Sequence, residues 1–260
     1  MQVYSLATDK SGRPEVSVYW QPGCSSCLKT KEFVEEQGIP FESINVLEDR
    51  EAMKEIMAAG LRSIPVVRKG DQYIYAQSVD DVAELLGASR DRERLAPQQL
   101  LERWEAVLER ARVIVASFDD DLLERRAVST RPRTVKDLSA HVFQIVEAFM
   151  LSIADEKTDF RAVAGDSRAE LAGREELLRY ADAMIAQYRA WRRGDGVRSI
   201  SERMQTYYGD QPSQGVLERG VWHSAQHARQ LDHVAAGVGA ELQIPVELYQ
   251  GLPMPKRLWA

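Results

Sequence analysis

The chain has 260 residues, of which 44% are hydrophobic and 28% are charged, and its formal net charge is −6. This length allows one large domain or two ordinary ones, and the acidic balance argues against nucleic acid or an anionic membrane as a partner. No apolar run approaches the roughly 20 residues that span a bilayer, and the first residues lack the pattern of a secretory signal. We therefore expect a cytoplasmic protein, in whose reducing surroundings two cysteines indicate redox chemistry or metal binding.

Residues 15–87 have the pattern of a small α/β unit. The stretch 15–20 alternates and is rich in β-branched and aromatic residues, which predicts a strand. Helical patterns closed by glycine follow at 27–38 and 49–60, with a second strand between them at 41–47. Two strands around a Lys69-Gly70-Asp71 turn and a last helix complete the order β-α-β-α-β-β-α. This order predicts one domain, over residues 1–90.

A charged stretch at 87–97 separates this unit from a second part with a different periodicity. Beyond it no segment has a strand pattern, and four segments are helical: 98–118, 134–154, 174–194 and 213–239. These predict a four-helix bundle over residues 91–260, which the connection at 206–212 could cover at one end. The proline-rich tail at 245–260 is expected to pack irregularly against the bundle. The predicted fold class is therefore two-domain, α/β followed by all-α.

Cys24 and Cys27 stand directly after the first predicted strand, at the start of the first helix. Unpaired N–H groups and the helix dipole favour a thiolate at this position, so Cys24 is the predicted nucleophile. Cys27, one turn inside the helix, is placed to resolve a mixed disulfide. Half-sites for zinc have the same spacing, but the sequence has no second cysteine pair to complete a four-cysteine site. The pair therefore predicts catalytic thiol–disulfide exchange.

Three stretches in this unit, YWQPGCSSC, SIPVV and QSVDDV, resemble the motifs of a glutaredoxin, a member of the thioredoxin fold. The resemblance implies that Pro65 is cis and faces the cysteine pair. It also implies a site for glutathione or another low-molecular-weight thiol, formed by Ile64, Pro65, Asp80 and Asp81. Gln77 and Ser78 depart from the family, which has paired glycines there that let the backbone approach the ligand.

Three of the four histidines lie between residues 220 and 234. His223 and His227 are four residues apart and share one helix face, as in helical metal-binding pairs. Gln230 lies near that face and is expected to orient a ligand or substrate, whereas His233 faces away and is expected to be a bystander. His141 lies on another predicted helix; alone it would be a core residue, but with the pair it completes a three-histidine set. Zinc or nickel suits such a set, and iron or manganese is compatible with it.

The stretches TVKDLSAHVFQIVEAFM and ERGVWHSAQHARQLDHV resemble the DinB-like superfamily of metal-binding four-helix bundles. The resemblance covers about 98–239 and implies metal ligation by His141, His223 and His227. It also implies activities such as thiol S-transfer or thiol-dependent isomerisation, in which the metal activates a thiolate.

The two resemblances together imply a metal-dependent thiol S-transferase, lyase or isomerase, in which Cys24 and Cys27 reduce or recycle the thiol. Its partners would be a small-molecule thiol and an electrophilic or disulfide substrate. One alternative is a thiol–disulfide oxidoreductase whose bundle serves docking or dimerisation. Another is a non-enzymatic metal or redox sensor. The apolar tail with Trp259 is compatible with a homodimer in each case.

Overall fold

The computed structural model describes residues 14–89, 93–129, 131–154, 171–194, 196–240 and 245–260. They form two compact units. The first comprises the described residues up to Ser89 together with Pro255–Ala260, and the second comprises those from Glu93 to Met254. The sequence-based division assigned all of 91–260 to the bundle, whereas in the structure the last six residues belong to the first unit.

The first unit is a mixed sheet flanked by helices. Its strands are β1 (Val16–Trp20), β2 (Glu42–Asn45), β3 (Val66–Lys69) and β4 (Gln72–Tyr75), and its helices are α1 (Ser25–Glu36), α2 (Arg50–Ala58) and α3 (Val79–Leu86). The strand order is β2-β1-β3-β4, with β1 parallel to β2 and antiparallel to β3. β3 and β4 form a hairpin around Gly70, whose positive φ of 58° suits glycine in a tight turn.

Alternation along β1 places apolar side chains on both faces of this sheet. Val18 belongs to a core that includes Phe33 of α1, whereas Tyr19 belongs to a separate core with Ile56 of α2. Helices therefore cover both faces of the sheet. This architecture confirms the predicted thioredoxin-fold unit.

The second unit is a helical bundle. Its described helices are α4 (Pro97–Ala116), the short α5 (Asp120–Glu124), α6 (Val135–Ala154), α7 (Arg174–Arg193) and α8 (Ser213–Gly237). α8 packs against α4 and α6, and α7 packs against the same two helices, so the four long helices close into a ring. The predicted four-helix bundle is confirmed.

Two short hairpins contradict the prediction that no strand follows the linker. They pair β5 (Arg126–Val128) with β6 (Arg131–Thr134), and β7 (Arg203–Thr206) with β8 (Gly209–Pro212). These strands of three or four residues are mostly polar and lack an alternating apolar face, which is the signal that identifies a strand in a sequence. The β7–β8 hairpin includes most of the stretch expected to cover the bundle.

α6 is long and apolar enough, by length and composition, to cross a membrane. In the structure 56% of its most apolar stretch is buried, and the helix packs against α7 and α8. Burial of this kind is what the core helix of a bundle requires.

The tail was expected to pack irregularly against the bundle, and this prediction is wrong for its last six residues. Glu32 of α1, which is 3% exposed, accepts the backbone N–H groups of Lys256 (2.7 Å) and Arg257 (2.8 Å). The Arg257 side chain also binds Glu32, at 3.2 Å, and Glu35, at 3.1 Å. A buried carboxylate needs such donors, and the tail supplies them because it belongs to the first unit.

Gly220 brings α8 close to Trp104, a fully buried residue of α4. A Cβ atom at Gly220 would lie 2.5 Å from the Trp104 ring, whereas a Cβ at Gly215, five residues earlier on α8, would meet nothing within 4 Å. We expect Gly220→Ala to lower the free energy of unfolding by about 1–3 kcal/mol through overpacking. Gly215→Ala is the matched control and should raise it by up to about 1 kcal/mol through helix propensity. Urea unfolding followed by circular dichroism measures both, and equal effects would contradict this account.

Candidate functional site: a cysteine pair and a histidine cluster

Cys24 and Cys27 lie where β1 leads into α1, as the sequence predicts. Cys24 is the N-cap of α1, and its sulfur accepts the backbone N–H of Cys27 at 3.1 Å. The two sulfurs form a disulfide in the structure. Cys27 is fully buried, whereas Cys24 is partly exposed. A thiolate at Cys24 would therefore be stabilised by the helix N-terminus and remain within reach of a substrate.

The Ile64–Pro65 peptide bond is cis, which confirms this part of the expectation for Pro65. The carbonyl oxygen of Pro65 accepts the backbone N–H of Ala76 at 2.9 Å. The neighbouring Gln77, which is 6% exposed, donates its side-chain amide to the carbonyl oxygen of Ile64 at 3.0 Å. Sequence reasoning noted Gln77 only as a departure from paired glycines. Its side chain holds the segment that precedes the cis proline.

Asp80 and Asp81 lie in the first turn of α3, and both are half-buried. Ser78 is the N-cap of this helix, because its hydroxyl oxygen accepts the backbone N–H of Asp81 at 3.3 Å. Ser78, which stands where the family has a glycine, therefore stabilises the start of α3. Carboxylates in a first helical turn are also favoured by the helix dipole.

His141 of α6 and His223 and His227 of α8 converge inside the bundle. Their ring centroids are 5.4 Å apart for His141 and His223, 5.1 Å for His141 and His227, and 4.7 Å for His223 and His227. One ring nitrogen from each residue lies within 4.8 Å of the others. His223 and His227 are buried and His141 is half-buried, whereas His233 is exposed on the last turns of α8. The sequence-based grouping and the exclusion of His233 thus agree with the geometry.

Gln230 orients His227, since its amide oxygen lies 2.7 Å from His227 Nδ1. An amide oxygen only accepts, so Nδ1 carries the proton and Nε2 presents a lone pair. That Nε2 lies 3.1 Å from Nε2 of His223. Burial above all, with a contribution from the positive charge of Arg219, holds the pKa of His223 well below its usual value, so its imidazole is neutral.

These nitrogens fit the donor set of a divalent metal. Two facing ring nitrogens at 3.1 Å need a proton or a cation between them, and a proton bridges only two groups. Three converging nitrogens therefore favour a cation. Zinc–nitrogen bonds of about 2.0–2.1 Å at tetrahedral angles place ligand nitrogens roughly 3.4 Å apart.

Two polar contacts of residues next to the histidines in the chain were missed in the sequence. The indole N–H of Trp104 donates to Ser224 Oγ at 2.9 Å, and Ser224 Oγ donates to the carbonyl oxygen of Val142 at 3.2 Å. Ser224 and Val142 are the chain neighbours of His223 and His141, so these bonds tie together the helices that carry the histidines. Arg219, four residues before His223, was also missed, although its helical spacing places it on the same face.

Comparisons with known proteins match the first unit. Residues 16–74 match the model of the glutaredoxin family. The N-acetyl-S-hydroxy-L-cysteine reductase of Bacillus subtilis is 37% identical over an alignment of 62 residues. The match covers 22% of this chain and 66% of that protein, so the chain spans just under two thirds of it. The glutaredoxin-like protein NrdH of Escherichia coli K12 is 39% identical over 56 residues, or 22% of this chain and 69% of NrdH. NrdH of Lactococcus lactis IL1403 is 34% identical over 56 residues and 78% of its length.

A solved structure is similar to a larger share of the chain. It is YfiT of Bacillus subtilis, described as a probable metal-dependent hydrolase with an unusual four-helix bundle topology. The similarity covers 58% of this chain and 94% of YfiT, with a TM-score of 0.43 and 16% identity. The glutaredoxin model, in contrast, matches residues 16–74, the stretch that carries the cysteine pair. Through this first unit, the chain belongs to the glutaredoxin family.

Proposed function

We propose that this protein is a metal-dependent thiol S-transferase that recycles its own thiol. In this proposal His141, His223 and His227 hold a divalent metal that activates a low-molecular-weight thiol such as glutathione. The cysteine pair reduces the disulfide of the same thiol. Zinc or nickel is the first expectation for the metal, because three imidazoles form the donor set. The observation that carries the proposal is the approach of three ring nitrogens to within 4.8 Å in the bundle.

The tasks of the chain's residues in the transfer step follow from the site. The three histidines would hold the metal, and a bound metal would supply the positive charge that lowers the pKa of a thiol beside it. Gln230 keeps the Nε2 lone pair of His227 directed at the cluster. The thiolate then forms a C–S bond with the electrophilic carbon, whose leaving group departs as an anion. The neutral imidazole of His223 is the form that binds metal.

The tasks of the cysteines follow from their difference in exposure. The Cys24 thiolate attacks a small-molecule disulfide, forming a mixed disulfide and releasing one thiol. Cys27 then attacks the Cys24 sulfur, releasing the second thiol and forming the Cys24–Cys27 disulfide, which an external thiol or dithiol reductant reduces. The name of the Bacillus subtilis relative supports a small oxidised thiol as the substrate, because it is a reductase of an S-hydroxycysteine.

The test is a thiol-consumption assay with glutathione or cysteine and a panel of small electrophiles that includes aliphatic acids as well as 1-chloro-2,4-dinitrobenzene. We expect turnover in the metal-loaded protein, loss of turnover after chelation, and recovery when zinc or nickel is returned. His227→Ala should abolish the transfer but leave disulfide reduction intact, and Cys24→Ser should have the opposite effect. Transfer that survives both chelation and His227→Ala would show that the proposed mechanism is wrong.

Gln230→Ala provides a milder test of the same site. The substitution removes the acceptor of the His227 Nδ1 proton, so that His227 loses its fixed orientation and tautomer. Loss of such an orienting partner weakens metal binding by about 10–100-fold. A competition titration with a chromophoric chelator measures the change. Gln214→Ala, on the first turn of the same helix, is the control and should leave the affinity unchanged, since its side chain contacts the carbonyl of Leu95.

A second candidate is a thiol–disulfide oxidoreductase whose bundle has no chemical role. Membership of the glutaredoxin family and the position of Cys24 as the N-cap of α1 favour it. This candidate predicts full activity in the metal-free protein and in the histidine variants. The disulfide-reduction arm of the same assay therefore separates the two candidates.

A further inference from the structure

A narrow cleft lies between α6, α8 and the β7–β8 hairpin. Its volume is only about 30 Å³, measured as the space open to the centre of a water molecule. Six of the residues that line it are Ile145, Phe149, Met204, Tyr207, Tyr208 and Arg219. Most of its wall is therefore apolar or aromatic, as in sites for small organic molecules. Because it is narrow, it suits a slim chain better than a bulky ring system.

Arg219 is the one charged residue among the described residues that line this cleft. It is only 9% exposed, and its guanidinium lies 5.6 Å from the centre of the Tyr208 ring. Stacking of this kind holds a guanidinium in place. A fixed and largely desolvated arginine next to an apolar wall matches a ligand with a carboxylate at one end and a hydrocarbon chain at the other.

The cleft adjoins the histidine cluster along two helices. Ile145 follows His141 by one turn of α6, and Arg219 precedes His223 by one turn of α8. Each of these two pairs is separated by four residues, so its members share one face of their helix. A ligand bound in the cleft would therefore hold the group that Arg219 binds nearest to the cluster, with the rest of the ligand along the apolar wall.

We propose that this cleft binds small, slim carboxylates, with Arg219 as the group that recognises the carboxylate. If the proposed function holds, on which this extension rests, the electrophile of the transferase is an aliphatic carboxylic acid that binds in this cleft. Arg219 is then the residue that determines specificity for acids over their neutral analogues. Binding itself needs no metal, because the guanidinium and the apolar wall supply the contacts.

The test compares hexanoate with hexanamide, which match in size and differ in charge. Binding is measured by calorimetry and ligand-observed NMR, on the metal-loaded protein and after chelation. We expect hexanoate to bind about tenfold more tightly than hexanamide or better, since a charge-assisted hydrogen bond adds this much. The preference should persist in the metal-free protein. It should disappear in Arg219→Gln and be reduced in Arg219→Lys, which keeps the charge but loses the planar fork.

Arg203→Gln is the matched control. It removes one positive charge from the β7–β8 hairpin, but Arg203 is exposed, pairs with Asp210 and does not line the cleft, so the preference should stay. A photoreactive diazirine derivative of hexanoate provides a measurement on the unsubstituted protein, in case Arg219→Gln does not fold. Its adducts should map to residues 145–152 and 204–220. Adducts confined to other segments would overturn the proposal.

The outcomes separate this proposal from the proposed function. Equal binding of acid and amide would overturn the cleft as a carboxylate site. The same holds if hexanoate bound only to the metal-loaded protein and Arg219→Gln had no effect, because the acid would then bind the metal. Arg219-dependent binding in a protein that takes up no metal would support the cleft and overturn the transferase.

Discussion

His227→Ala is expected to reduce metal affinity on the order of 1,000-fold, the largest effect that we predict for the bundle. Structural sites of four ligands bind zinc with about 10–16 kcal/mol, so that one ligand contributes several kcal/mol, and each 1.4 kcal/mol is a factor of ten. His227 also lies nearest to both other rings, at 4.7 Å from His223 and 5.1 Å from His141. Mass spectrometry of the untagged protein measures metal per chain, with a chelator competition for the affinity.

The matched control is His233→Ala on the same helix. His233 is exposed and lies outside the cluster, so this variant should keep the metal content of the unsubstituted protein. His141→Ala should behave like His227→Ala, although the residue comes from another helix. Retention of metal by both His141→Ala and His227→Ala would contradict the three-histidine site.

Cys24→Ser should abolish disulfide reduction, with a fall in rate of about 1,000-fold or more, because a serine hydroxyl does not ionise near neutral pH and leaves no thiolate to attack the substrate. Cys27→Ser should behave differently, since Cys27 is fully buried and acts only after Cys24. In this variant the first attack still occurs, and the mixed disulfide at Cys24 accumulates. Mass spectrometry of the protein after incubation with oxidised glutathione distinguishes the two.

A reversed pattern, in which Cys27 carries the adduct, would contradict the assignment of roles. The assignment depends on two observations. Cys24 accepts an N–H at the start of α1 and is partly exposed, whereas the Cys27 sulfur is shielded from solvent. Neither observation requires the bundle, so this prediction and that for His227 are independent.

The elements with a strong local pattern could be predicted from the sequence. The alternation of β1, the glycine at the end of α3 and the apolar stripe of α6 depend on neighbouring residues, and each lies within about three residues of its expected bounds. The pairing of His223 with His227 is also local, because helical spacing fixes it. The approach of His141 to this pair depends on the packing of α6 against α8, which helical spacing does not determine. The resemblance to DinB-like bundles implied it.

Features that depend on contacts distant in sequence could not be predicted. Glu32 is charged and lies on an amphipathic helix, where solvent exposure is the ordinary expectation. It is buried because backbone groups of the tail reach it from more than 220 positions away. In the sequence Arg219 looks like any other helical arginine. It lines a cleft only because the β7–β8 hairpin packs beside it, and the polar strands of that hairpin have no pattern that predicts them. Tertiary packing gives both residues a partner that no local rule describes.

The attachment of Lys256 and Arg257 to Glu32 makes the redox unit discontinuous in sequence, with the bundle inserted between its two segments. A single proteolytic cut between residues 89 and 93 would therefore leave two fragments that both contribute residues to the same domain, the redox unit. The short fragment would lack the donors that Glu32 needs, and the long one would carry them. The two fragments should remain associated through this contact after the cut, whereas two domains joined by a simple linker would separate.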